Sequence, residues 1–250
     1  MLATEELARY DRQIRLEGFG AESQEKLKRA RVLVAGVGGL GCPVAMYLAA
    51  AGIGHLRLVD EDVVDQSNLN RQVLHWQKDV GREKVLSAAE KLRLLNPHIT
   101  VEPIVQTISA ENVLELADGC DLIMDCMDNY PTRYVLNEAA LKKRIPFVHG
   151  AIYGLQGELT TVLPGVTPCL RCIFRGAPPK ETFPVLGVTP GVIACLQAME
   201  AIKYLTGVGE LMAGRLLLFD GNDMQFSEVR IKRNPHCQDC ARLPGQARVA

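Results

Sequence analysis

The sequence predicts an α/β protein: a doubly wound sheet of about eight strands, parallel in its N-terminal half and antiparallel in its C-terminal half. Three observations carry this. Residues 31–35, Arg-Val-Leu-Val-Ala, run straight into Gly36-Val37-Gly38-Gly39-Leu40-Gly41 and then into a small, apolar, helix-compatible stretch. That is the strand–loop–helix opening of a parallel unit. Strand-like and helix-like segments alternate as far as residue 151, which argues a parallel sheet covered on both faces. Beyond 151 the pattern changes to strands joined by turns, with a single helix.

Taken in order, residues 5–30 form a polar, helix-favouring arm broken at Gly18-Phe19-Gly20. Strands are expected at 31–35, 55–60, 100–105, 121–125 and 146–151, with helical composition at 42–51, 81–95, 110–116 and 131–143. Gly52 closes the first of these helices. Further strands are expected at 156–163, 215–219 and 225–231. The helix between them, 191–205, carries Leu196, Met199, Ile202 and Leu205 at helical spacing and reads as a core helix. Residues 175–190 hold four prolines and two glycines and read as a crossing loop. The expectation is a single domain over 1–250, with a helical arm at 1–30, a nucleotide-binding half at 31–165 and a C-terminal half at 166–250.

Composition bounds the function. The 250 residues are 48% hydrophobic and 23% charged, so a disordered chain is excluded. A net charge of −1 argues against a broad nucleic-acid surface. No apolar run is long enough for a membrane span, and the charged start has no secretory pattern. A cytoplasmic protein follows, in which the eight cysteines need a purpose other than disulfides. Four of them form two Cys-x-x-Cys hooks, Cys169/Cys172 and Cys237/Cys240, with 64 residues between the hooks. Two such hooks suit one tetrahedral Zn²⁺, which would clip the C-terminal tail to the middle of the chain. Four closed thiolates leave no open position, so the role is structural. The rival reading is one redox dithiol and an accidental pair. Cys42, Cys120, Cys126 and Cys195 read as ordinary buried thiols.

Gly36-x-Gly38-x-x-Gly41 follows a strand and opens a helix, the context a phosphate-binding loop requires. The helix N-terminus offers free N–H groups to an anion, and Asp60, 19 residues past Gly41, stands where an acid binds ribose hydroxyls. A dinucleotide dehydrogenase shows the same features. The charges that follow separate the two. Arg71 within Ser67-Asn68-Leu69-Asn70-Arg71-Gln72, Lys84 after Gly81, and Asp128 and Asn129 past the fourth strand gather beside the loop. Arg71 and Lys84 can neutralise phosphates and Asp128 can hold Mg²⁺. His149 reads as a hydrogen-bonded core or rim histidine.

Arg9-Tyr10-Asp11-Arg12-Gln13, the Gly-x-Gly-Gly-x-Gly loop with Gly39, Asp60-Glu61-Asp62, Ser67–Gln72, Asp125–Asn129, Pro168–Cys172, Gln197–Lys203 and the final Cys-x-x-Cys follow one another in a fixed order. Over residues 9–240 the chain resembles the MoeB/ThiF/HesA family, relatives of the ubiquitin-activating enzymes, and the fold implied is Rossmann-like. The resemblance implies an ATP-dependent adenylyltransferase. Its substrate is the C-terminal glycine carboxylate of a ubiquitin-like sulfur-carrier protein ending in Gly-Gly, serving molybdopterin, thiamin or related sulfur transfer. By similarity Asp60 binds ribose, Arg71 and Lys84 hold phosphates, Asp128 supports Mg²⁺, and Asn68 lines the site. Arg12 resembles the arginine that reaches the γ-phosphate from the other subunit of a homodimer.

One departure narrows the expectation. Many members carry a cysteine in the crossing loop, and residues 180–187 here have none. Adenylation without a covalent thioester or persulfide is therefore expected. No rhodanese-like extension follows Cys240, so the sulfur donor is expected to be external. The alternatives are adenylation of a peptide or small-molecule carboxylate, a catalytically inactive nucleotide-binding partner, and a nicotinamide-dependent dehydrogenase.

Overall fold

The computed structural model describes residues 1–174, 176 and 184–243. Half of the proline-rich crossing segment, residues 175 and 177–183, lies outside them. Eight strands form one sheet: β1 (Arg31–Ala35), β2 (His55–Val59), β3 (Thr100–Ile104), β4 (Leu122–Asp125), β5 (Phe147–Tyr153), β6 (Gln156–Val162), β7 (Arg215–Asp220) and β8 (Gln225–Arg230). Their spatial order is β3-β2-β1-β4-β5-β6-β7-β8. The first five are parallel and the last three antiparallel, as the sequence predicts. The chain runs outward from β1 to β3 and then returns to place β4 on the other side of β1. Ligands of such sheets bind at that reversal, above the strands' carboxyl ends.

Nine helices lie among the described residues: α1 (Thr4–Arg9), α2 (Asp11–Ile14), α3 (Gly20–Arg29), α4 (Gly41–Ala51), α5 (Lys84–Leu95), α6 (Val113–Leu116), α7 (Tyr130–Lys143), α8 (Leu170–Ile173) and α9 (Val188–Thr206). Helices α3, α4, α5 and α9 cover one face of the sheet, where Leu48, Leu56, Leu92 and Ile193 are fully buried. Helices α6, α7 and α8 cover the other, around Leu33, Ile123, Leu136 and Phe147. No helix among the described residues is long and apolar enough to cross a membrane.

Three local differences from the sequence-based expectation have physical causes. Helix α5 starts at Lys84 rather than near 81, because Gly81 turns at φ +86° and Glu83 bridges back to Val63. Helix α9 begins at Val188, ahead of Pro190. Its first-turn N–H groups lack helical partners in any case, so the proline costs nothing there. The bulky Leu196–Met199–Ile202–Leu205 stripe is not its buried face. Ile193, Ala194, Gln197, Ala198 and Ala201 are buried instead, and Met199 is 56% exposed. Small residues form the seam because α9 packs closely on α4, whose own inner face is Ala45, Leu48 and Ala49.

Candidate active site

The glycine loop joins β1 to α4 in a turn that side chains would block. Gly36 has φ +89°, and a Cβ there would stand 2.8 Å from the Cys126 carbonyl oxygen. A Cβ on Gly41 would stand 1.9 Å from the Gly36 carbonyl oxygen. The strand, the loop and the start of α4 therefore pack backbone on backbone. The Val37 N–H donates to Asp60 Oδ2 at 2.7 Å, and the Asp62 N–H donates to Asp60 Oδ1 at 2.9 Å. Burial pushes the Asp60 carboxyl above its ordinary range, against the pull of Lys84 and these two N–H groups.

A cavity of about 580 Å³ opens above the ends of β1, β2 and β4. Gly36, Gly38, Gly39, Asp60, Arg71, Lys84, Asp128 and Asn129 line it, so the structure brings eight of the expected residues together. Arg71 donates to the Ser67 carbonyl at 2.9 Å, which holds its guanidinium at the rim. Lys84, buried at the first position of α5, donates to Asp62 Oδ2 at 2.7 Å. Asp128 is exposed, and Asn129 caps α7 by accepting the Thr132 N–H at 2.9 Å. The remaining expected residues stand apart from the cavity lining. Gly41 lies behind the loop in the α4 packing. Asn68 accepts the Asp65 N–H at 3.0 Å and shapes the turn that presents Arg71.

Arg12 is exposed on α2. Its neighbours fix it there: the Tyr10 hydroxyl accepts from Asn96, and Gln13 donates to the Ala51 carbonyl at the C-terminal end of α4. The glycine loop is at the other end of α4, about 16 Å away for 11 residues.

Sequence reasoning missed Arg133, Gln72 and Asp62 in the cavity wall. Arg133 sits one turn past the Asn129 cap, and that spacing was the available signal. It donates to the Met127 carbonyl at 2.6 Å, and its Nε is 3.6 Å from Asp125 Oδ2. Behind it, fully buried His149 meets Asp125 at 2.7 Å through Nδ1 and Glu158 at 3.4 Å through Nε2. Burial alone lowers the pKa of His149, but the two carboxylates outweigh it and the net shift is upward. His149 is thus the hydrogen-bonded core residue the sequence suggests.

The two cysteine hooks converge. Cys169 Sγ lies 3.6 Å from Cys237 Sγ, Cys172 Sγ lies 3.4 Å from Cys240 Sγ, and all four sulfurs fall within 4.8 Å of one another. Thiolates about 2.3 Å from a tetrahedral Zn²⁺ stand about 3.8 Å apart, so this donor set fits the ion. Asn137 of α7 supports both hooks: its Oδ1 accepts the Leu170 N–H and its Nδ2 donates to Asp239. The other thiols are not activated. Burial pushes Cys42 up to about 12, Cys126 well above its ordinary value, and Cys120 upward. Cys195, expected to be buried, is exposed on α9, because it lies on the side of the helix away from the Ile193–Ala194–Gln197–Ala198 seam.

Comparison with known proteins defines the class. The model of the ThiF family matches residues 10–239. The SAMP-activating enzyme E1 of Haloferax volcanii is 47% identical over 241 residues, covering 94% of this chain and 89% of that protein. The sulfur carrier protein adenylyltransferase of Thermus thermophilus is 44% identical, covering 97% of this chain and 93% of that one. The adenylyltransferase and sulfurtransferase MOCS3 of Drosophila sechellia is also 44% identical, but this chain spans only 55% of its length. A crystal structure of Escherichia coli MccB with AMPCPP and MccA superposes with a TM-score of 0.82 at 25% identity, covering 93% of this chain and 74% of MccB. The chain belongs to the ThiF family. It is an enzyme of the adenylyltransferase kind, with the Rossmann-like fold of that family.

Proposed function

We propose that this chain, acting over 1–250 as one adenylation domain, activates the C-terminal glycine carboxylate of a ubiquitin-like sulfur-carrier protein. A carboxylate oxygen attacks the α-phosphorus of ATP, the bond to pyrophosphate breaks, and an acyl-adenylate remains. The observation that carries this reading is the convergence of the glycine loop, Asp60, Arg71 and Lys84 on one cavity, in a chain 47% identical to a SAMP-activating enzyme.

Both reactants are anions, so their encounter is repulsive until charge is neutralised. Asp60 takes the ribose hydroxyls, while Arg71 and Lys84 take the phosphates and stabilise the charge that builds on departing pyrophosphate. Lys84 exchanges Asp62 for phosphate when ATP enters. Asp128, exposed at the rim beside Asn129, would hold Mg²⁺, which when bound would supply further charge neutralisation. No general base is required, since the attacking carboxylate is already ionised near neutral pH; positioning provides the rest.

Arg12 cannot serve the cavity of its own chain across the length of α4, so it serves that of a second copy in a homodimer. Exposed apolar side chains on α4 and α9, Tyr47, Val188 and Met199, are available to such an interface. Residues 180–187 carry no cysteine, so sulfur comes from an external donor rather than from a persulfide on this chain. The four hooked cysteines hold structural Zn²⁺, and unpaired cysteines throughout suit a cytoplasmic enzyme.

ATP–pyrophosphate exchange with purified protein and carriers ending in Gly-Gly tests the reading. Exchange that requires the carrier supports it. Exchange with a peptide or small carboxylate alone transfers the activity to the second reading, which the likeness to MccB keeps in view. Absence of exchange with every carboxylate refutes both.

A further inference from the structure

We propose that His75 is a positioning residue of the adenylation reaction: oriented from behind by Ser87 and Lys91, it turns the Gly38 N–H of the glycine loop toward the phosphates. The inference rests on ATP being the nucleotide of the cavity.

The argument starts at Val37. Its carbonyl oxygen is 3.0 Å from His75 Nε2 and also accepts from the Cys42 thiol at 3.3 Å. A carbonyl only accepts, so His75 Nε2 carries the hydrogen. Its Nδ1 lies 3.0 Å from Ser87 Oγ. Lys91 Nζ, which only donates, lies 2.9 Å from the same Oγ and 2.6 Å from Asp79 Oδ2. Ser87 accepts from Lys91, and its hydroxyl faces both the Asp79 carboxylate and a bare Nδ1. With the hydrogen on Nδ1's side the chain runs from the ammonium through the hydroxyl and the imidazole to the loop carbonyl.

The charge state agrees. Burial lowers the pKa of His75, the Val37 bond opposes it, and the Lys84 and Lys91 charges add to the lowering. That shift favours the neutral imidazole, and hydrogen on Nε2 is the tautomer the Val37 contact requires. All members are buried: His75 at 3% exposure, Asp79 at 1%, Lys91 at 6% and Ser87 at 0%. A buried ion pair of this kind is costly to maintain and adds little stability by itself. Nothing in the cavity touches Lys91 or Asp79 directly, so their effect on the site passes through His75.

Peptide planarity converts this anchor into an effect on ligand. The Val37 carbonyl and the Gly38 N–H belong to one planar trans unit and point in opposite directions. Pinning the oxygen inward, beneath the loop, aims the N–H outward at the cavity that Gly38 lines. Among the described residues that N–H has no partner. On the preceding peptide, Asp60 fixes the Val37 N–H at 2.7 Å. His75 and Asp60 thus hold successive peptides of the loop from opposite sides.

The test is nucleotide binding by calorimetry, with ATP and adenosine as probes, on the wild-type chain and on His75→Phe and His75→Gln. The expected result is a loss of about tenfold in ATP affinity for His75→Phe, the worth of one well-placed hydrogen bond, with adenosine affinity unchanged. His75→Gln, whose amide nitrogen reaches the place of Nε2, should recover most of the loss. Equal ATP affinity in wild type and His75→Phe overturns the proposal, as does parallel loss of ATP and adenosine, which marks a structural role. If His75→Phe does not fold, Ser87→Ala replaces it, with a two- to fivefold selective loss of ATP expected and no loss counted as refutation. A wild-type chain that binds no ATP refutes the adenylation reading itself, a different result from any of these.

Discussion

Helix α7 serves two sites of opposite character, one turn apart. Arg133 reaches the cavity, whose wall also carries Arg71, Lys84 and the four acids Asp60, Glu61, Asp62 and Asp128. Asn137 reaches the cysteine clip, where donors are buried and already within bonding distance of a common centre. The first site collects loop residues from the ends of neighbouring strands, so the topology alone brings them together. The second joins hooks 64 residues apart, which no strand pairing connects. The comparison teaches that charges gathered on an open cavity mark the reacting centre, whereas closed donors mark the fastening.

Separate losses should follow. Largest is removal of metal from the clip: structural Zn²⁺ contributes about 10–16 kcal/mol of apparent binding in small zinc domains, comparable with the whole folding free energy of about 5–15 kcal/mol. Chelation should therefore release about one zinc per chain and collapse thermal stability, read by metal analysis and melting. A metal-free chain that melts unchanged would erase the contrast. Next, Arg71→Ala or Lys84→Ala should lower carrier-dependent exchange by about 10²–10³, or about 2.7–4 kcal/mol in the barrier, while the melting temperature holds. Near-normal turnover in both variants would remove these residues from the site.

His149 sharpens the comparison, since it is satisfied like the clip yet sits beneath the cavity. His149→Ala leaves Asp125 with only the Met127 N–H and the Arg133 charge beside it and should cost about 1–3 kcal/mol in denaturant unfolding. The folded pKa of His149 is raised, so its contribution is complete below the unfolded value of about 6.5 and is lost as pH climbs through the folded value. Wild-type stability should fall across that window by up to about 1.4 kcal/mol per pH unit, and His149→Gln should flatten the slope. Smallest is Asn137→Ala, which removes two hydrogen bonds around the clip and should weaken metal retention about tenfold in a chelator competition.

Period and punctuation made the sheet legible. The eight strand segments alternate with helices or turns as the topology requires, and Gly36 and Gly41 mark a loop where backbones touch. Individual charges just past strand ends, Asp60 and Asp128, and Lys84 at the start of α5 were legible for the same reason. What lay hidden was pairing at long range. Nothing near His75 in sequence announces Val37, 38 residues away, and nothing near Asp125 announces Glu158. The α9 seam was misread because bulk suggested burial where close helix contact demanded alanine.

The clip also changes what a cut in the backbone does. With an ion held by all four sulfurs, α9, β7 and β8 lie on a ring of chain closed between Cys172 and Cys237. A protease that nicks this ring once yields two pieces still tethered through the metal, and they part only when a chelator or acid is added. A pull applied at either tail is likewise borne by sulfur–metal bonds before the last strands can peel from the sheet.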